Sequence, residues 1–153
     1  MNVEAQIRSM VDRETQAWDT KNAELLTSLF HPDMVWPWPK DSDAHDPLDW
    51  IFEIGRFHET RWREGWQALF DSHDLVHNRR KLLKISVSRE ADAALAVVDV
   101  DTLWRNKQSG EDFHWKGRAS KGYSLCNGEW KLIFHTGLLR YPPNSQGVRS
   151  PAT

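Results

Sequence analysis

Cysteine is nearly missing: Cys126 stands alone among 153 residues, which excludes an internal disulfide and any multi-cysteine metal site and fits a reducing, cytoplasmic setting. Charge of one sign is missing too. Twenty basic residues against 22 acidic ones leave a formal charge of -2, so no positive field exists to hold a phosphate backbone, and nucleic acid is not an expected partner. No run of 18 apolar residues occurs, and the opening MNVEAQIRSMVDRE lacks the basic and apolar regions of a signal peptide. Neither membrane insertion nor export is expected. There is no glycine-rich phosphate loop, no nucleophile elbow and no paired metal-ligand motif. His73 and His77 are four apart, but the second falls in an expected strand and not on a helix face, so neither a metal nor a cofactor is expected.

What the chain does have is tryptophan, nine in all. So many large apolar rings suit either an aromatic core or an aromatic-walled cavity. The length fits one domain, expected over residues 1–141, with PPNSQGVRSPAT at 142–153 as a flexible extension without apolar periodicity.

Ile7, Met10, Val11 and Trp18 recur at helical spacing and predict a helix over 3–20, with Glu14 inside its apolar stripe, where an unpaired carboxylate is costly. Asn22 caps a short second helix that buries Leu25, Leu26, Leu29 and Phe30 and ends before Pro32. MVWPWP reads as a brief edge strand. Asp46 before Pro47 starts a helical region to about Asp71, with Ile51, Ile54, His58, Trp62, Trp66 and Leu69 inward and Gly55 and Gly65 as possible bends.

Residues 75–90, 93–107, 112–126 and 129–141 alternate and are rich in β-branched and aromatic residues, which predicts a four-stranded antiparallel meander. The turns at Ala91-Asp92, Ser109-Gly110 and Asn127-Gly128 set its register. They place Lys121 beside Val98 and Phe134, Ala119 beside Thr136 and Trp104 beside Trp115. One face becomes almost continuously apolar and must be covered by the helices. The other carries Asp99, Ser120 and His135 in a row, with Asp101 opposite Arg118, as cross-strand polar pairs on a wet surface.

Polar residues on the covered face are the informative ones. Lys121 is one, and His77, Arg79 and Lys81 share its side toward the open end of their strand. Glu14 is a plausible partner for Lys121, and the pair reads equally as a structural salt bridge or as an anion-binding or acid/base site. The candidate catalytic residues are Glu14, His58 and Lys121. The candidate ligand-binding residues are Trp36, Trp38, Trp62, Trp66, His77, Arg79, Phe134 and Thr136. Glu14 or His58 would move a proton, and Lys121 or Arg79 would stabilise an oxyanion.

The order of elements resembles the nuclear transport factor 2-like superfamily, with its SnoaL-like and ketosteroid isomerase-like proteins. AWDTKNAELLTSLFHPDMVW resembles the family's first two helices, and NGEWKLIFHTG its final hairpin and strand. HNRRKLLKISVS, VDVDTLWR and HWKGRASKGY are similar to one bacterial branch. The resemblance implies an α+β cystatin-like cone with a pocket between sheet and helices, a small-molecule ligand and a homodimer formed through the sheets. It does not bring the isomerase mechanism. The short strand has Trp36, Pro37 and Trp38 where those relatives carry a general-base aspartate, Glu14 stands roughly at their first-helix tyrosine, and Phe134 and Thr136 occupy positions that are histidine in many of them. Two readings follow: a cofactor-independent lyase, isomerase or cyclase for a small apolar or aromatic ligand, and a binding or dimerisation module without chemistry.

Overall fold

The first helix, α1 (Val3–Asp19), starts where Asn2 accepts a hydrogen bond from the Ala5 N–H at 2.7 Å, and it buries Ile7, Met10, Val11 and Trp18 as its spacing predicts. Residues 2–140 are described in this computed structural model; the extension expected over 142–153 lies outside them. Asn22 caps α2 (Ala23–Ser28) by accepting from the Leu25 N–H at 2.9 Å. Phe30, expected to close that helix, instead opens β1 (Phe30–Val35).

The helical region expected from Asp46 is much shorter. Asp46 does cap Pro47–Asp49, accepting from the Leu48 N–H, but the result is a single 3-10 turn. The chain then pairs β2 (Trp38–Pro39) antiparallel with β3 (Trp50–Ile51). Gly55 takes a φ of 63°, outside the helical region. The helix α3 (Glu59–Ser72) begins only after it, and buries Trp62, Trp66 and Phe70. His58, expected inward, is exposed at the cap, where its Nδ1 accepts from the Arg61 N–H at 3.2 Å.

The meander is present as β4 (His73–Val87), β5 (Ala93–Asn106), β6 (Asp112–Cys126) and β7 (Glu129–His135). β1 adds parallel to β7, giving a five-stranded sheet in the order β1-β7-β6-β5-β4. Three helices pack on one face of this curved mixed sheet, an α+β cone.

Asn127 and Gly128, at φ of 53° and 80°, form the expected two-residue hairpin. The β5–β6 connection is longer than expected. The Asn106 N–H donates to the Glu111 carbonyl, so Trp104 pairs with Phe113 and not with Trp115. That shift of two leaves each residue on its expected face.

Two bulges do not. Tyr123 pairs with Leu132 but Gly122 pairs with Phe134, so Ile133 is an extra residue in β7. Ile85 pairs with Ala96 but Leu82 pairs with Val98, which makes Leu83 extra in β4. An inserted residue reverses the alternation beyond it. His135 therefore turns inward opposite Lys121 and Phe134 turns outward, the opposite of the expected register. Likewise Arg80 turns inward opposite Val100, while Arg79 and Lys81 turn outward. The expected row of Asp99, Ser120 and His135 does not form; Asp99 pairs with Arg118 instead, accepting from its Nε at 2.8 Å.

Trp18 sits at the middle of the core, edge-on to Trp66, Phe70 and Trp115 with ring centroids 5.1–5.8 Å apart. Such pairs add about 0.5–1.5 kcal/mol each beyond area burial. Among the described residues, no helix is long and apolar enough to cross a membrane.

Candidate functional site

Glu14 lies one turn before Trp18 on the buried stripe of α1, which points it at the sheet. It is 2 % exposed. Its Oε2 accepts three hydrogen bonds, from Trp18 Nε1 at 3.0 Å, Lys121 Nζ at 2.9 Å and Arg80 Nη1 at 3.2 Å. Burial pushes the Glu14 carboxyl up, but the charges of Lys121 and Arg80 outweigh it and bring it down from 4.5 to about 2. Burial also holds the Lys121 ammonium below its usual value, against the pull of Glu14.

Arg80 is positioned from three sides. Its Nε donates to Asn78 Oδ1 at 2.9 Å, its Nη2 lies 3.5 Å from Thr102 Oγ1, and its guanidinium stands 5.3 Å from the Trp18 ring centroid. Asn78 is itself held by Thr102 and by Asp19. The buried cluster thus contains two cations and one carboxylate. An excess positive charge in low dielectric favours an anion, or an oxygen on which negative charge develops.

His135 completes the group. It pairs with Lys121 across β6 and β7, is 8 % exposed, and packs its ring against Trp36 at a centroid distance of 3.6 Å. Burial first, and the Lys121 charge second, hold its imidazole well below 6.5, so it is neutral near pH 7. Among the described residues its Nε2 has no hydrogen-bond partner, and neither has the buried Tyr123 hydroxyl, which burial and Glu14 push up.

Glu14, Arg80, Lys121 and His135 border a cavity of about 60 Å³ walled by Trp18, Trp36, Trp38 and Trp115. That volume admits a few water molecules. The segment between β2 and β3 closes one side through Ala44 and His45, and His45 Nδ1 lies 2.9 Å from the Leu138 carbonyl oxygen. Trp50 is laid on Gly137 so tightly that a Cβ there would stand 2.3 Å from its ring.

Of the residues singled out from sequence, Glu14, Lys121, Trp36 and Trp38 border the cavity. Trp66 backs it, 5.2 Å from Trp36 and 5.4 Å from Trp38 by ring centroids. Trp62 is buried farther off against Phe30 and Phe57. Thr136 is tied into the sheet, its Oγ1 accepting from the Ser120 N–H at 2.9 Å. The remaining four lie elsewhere. His58 is at the exposed start of α3, Arg79 is 73 % exposed, Phe134 is 41 % exposed, and His77 faces outward onto Asp101. Arg80 and His135 take the inward places expected of Arg79 and Phe134. The signal that could have revealed them is the pair of adjacent apolar residues, Leu82-Leu83 and Leu132-Ile133, where strict alternation slips.

The SnoaL-like domain family matches the chain over residues 1–135. No curated protein matches it. Among solved structures, a ketosteroid isomerase-like protein from Erwinia carotovora atroseptica is similar at 14% identity and a TM-score of 0.65, covering 86% of this chain and 91% of that one. An NTF2-like protein from Rhodospirillum rubrum is 18% identical with a TM-score of 0.60, over 84% and 93% of the two chains. A domain with a cystatin-like fold from Nostoc punctiforme is 12% identical with a TM-score of 0.64, over 94% and 80%.

Proposed function

The chain belongs to the SnoaL-like domain family, and on that premise we propose that its cone binds a small aromatic or apolar carbonyl compound and catalyses cofactor-independent proton transfer, as a lyase, isomerase or cyclase. The observation that carries the reading is the convergence, on one aromatic-walled cavity, of two buried cations and a neutral His135 whose Nε2 has no partner among the described residues. His135 Nε2 accepts a proton from the carbon next to the carbonyl. The electron pair of that C–H bond moves onto the carbonyl oxygen, which Lys121 and Arg80 stabilise, and the imidazolium returns the proton to another carbon. Glu14 Oε2 positions Trp18, Lys121 and Arg80, while its Oε1 has no hydrogen-bond partner among the described residues. A ligand of ordinary size needs several hundred cubic ångströms, so the segment between β2 and β3 must move aside to admit it.

The test is solvent-deuterium exchange at the α-carbons of small aromatic ketones and keto acids, followed by NMR. The wild-type protein should exchange at least one of them, and His135→Ala should reduce the rate by about 10²–10⁴-fold. Exchange that persists unchanged in His135→Ala, or no exchange across the series, overturns the proton-transfer reading. The rival reading, a binding module in which the charges are purely structural, is favoured by the full occupancy of Glu14 Oε2 and by the small volume of the cavity. It predicts ligand-induced thermal stabilisation with no exchange.

A further inference from the structure

On the opposite face of the sheet, three side chains that no chemistry above uses meet at one point. His77 of β4 and His114 of β6 both pair with Leu103 of β5, one from each side, so they flank it in a single cross-strand row. Asp101 lies two residues along β5 on the same face. Its Oδ1 receives both imidazoles, His77 Nε2 at 2.8 Å and His114 Nε2 at 2.6 Å. The two rings are nearly perpendicular, with centroids 5.9 Å apart. One nitrogen from each ring and one carboxylate oxygen all lie within 4.8 Å of one another.

We propose that His77, Asp101 and His114 form a binding site for a divalent transition-metal ion of the zinc type, with water completing the coordination. Two imidazoles and a carboxylate match the ligand preferences of zinc, cobalt and nickel better than those of magnesium or calcium, which favour oxygen donors. Ligand atoms around a tetrahedral ion stand roughly 3.3 Å apart. The two contacts to Asp101 would open by about 0.5–0.7 Å, and the two imidazole nitrogens, which lie within 4.8 Å of each other, would settle at the same spacing. In the single chain, side-chain exposures of 22%, 41% and 26% for His77, His114 and Asp101 leave a path of entry.

Cations on the neighbouring strands work against the ion, since Arg79 and Lys116 both pair with Asp101, one from each side. Arg79 Nη1 stands 4.0 Å from Asp101 Oδ2, and its positive charge competes for the same carboxylate. Removing it should therefore strengthen metal binding, which a purely hydrogen-bonded cluster would not reveal.

The experiment titrates chelator-treated full-length protein with Zn²⁺ against a chromophoric chelator, and with Co²⁺ by its visible absorption. The expected result is one ion per chain, with the intense Co²⁺ bands of a four-coordinate site. His77→Ala, Asp101→Asn and His114→Ala should each weaken Zn²⁺ at least about tenfold, the lower limit seen even for groups that merely support a metal ligand. Arg79→Ala should bind more tightly than wild type. Binding should weaken as the pH falls, because ligating imidazoles must be unprotonated. All three ligand variants change partly exposed side chains, and matching circular dichroism spectra will establish that they fold. Absence of Zn²⁺ binding overturns the proposal, as does binding that is indifferent to His77→Ala and His114→Ala.

Discussion

At the scale of single residues, the buried cluster behaves as three charges and not as a pair. Replacing Glu14 by Gln strands both Lys121 and Arg80 without a counter-charge, and uncompensated buried charges of this kind cost about 3–5 kcal/mol. Urea unfolding should show that loss. A Glu14→Gln, Lys121→Met double variant, which would suffice for a simple pair, still leaves the Arg80 guanidinium buried beside Asn78 and Thr102. It should stay well below wild type. Adding Arg80→Met removes the last charge, and the triple variant should regain stability relative to the double one. If the double variant is already as stable as wild type, Arg80 is not part of the same electrostatic unit.

Elements decide which residues reach the cavity. The turn dipeptides announce the hairpins, and Asn127-Gly128 places Leu125 opposite Trp130 as expected. A turn controls register only as far as the first bulge, because an inserted residue reverses the inward and outward sides of everything beyond it. Lys121 was legible because β6 keeps its alternation across the β5 pairing. Arg80 and His135 were not, because Leu83 and Ile133 intervene. The segment that closes the cavity is also built by tertiary contact. Trp50 donates from Nε1 to the Ala44 carbonyl at 3.0 Å and lies flat against Gly137. Gly137→Ala should expel the Trp50 ring and loosen residues 38–51. Hydrogen exchange should then accelerate in that segment while the β5–β6 amides remain protected; unchanged exchange there would show that Trp50 does not hold the closure.

For the whole molecule, the same buried groups shape stability against pH. Glu14 falls from 4.5 in the unfolded chain to about 2 in the folded one. Its contribution is therefore complete above 4.5 and lost as the pH drops toward 2, amounting to roughly 3 kcal/mol. His135 acts in the same direction from a higher starting point. Its folded value lies well below 6.5, so the unfolded chain takes up a proton first and stability declines as the pH falls below 6.5. Denaturant midpoints measured from pH 8 to pH 3 should fall in two stages. His135→Phe should remove the upper stage and Glu14→Gln the lower; a flat profile through both windows would contradict the burial of these groups.

By itself the sequence determined the helix stripe that buries Glu14, the four-stranded meander, the tight Asn127-Gly128 turn and the covered face that carries Lys121. Each follows from local periodicity and from turn residues with a fixed backbone preference. Only the tertiary structure decided that β1 would join β7 in parallel, that the Asp46 cap would start one turn and not a helix, and that two bulges would trade Arg79 for Arg80 and Phe134 for His135. The physical reason is that alternation carries a single bit per residue, inward or outward. One extra residue inverts that bit as far as the next bulge, and where the extra residue goes is settled by how the curved sheet closes over its helices.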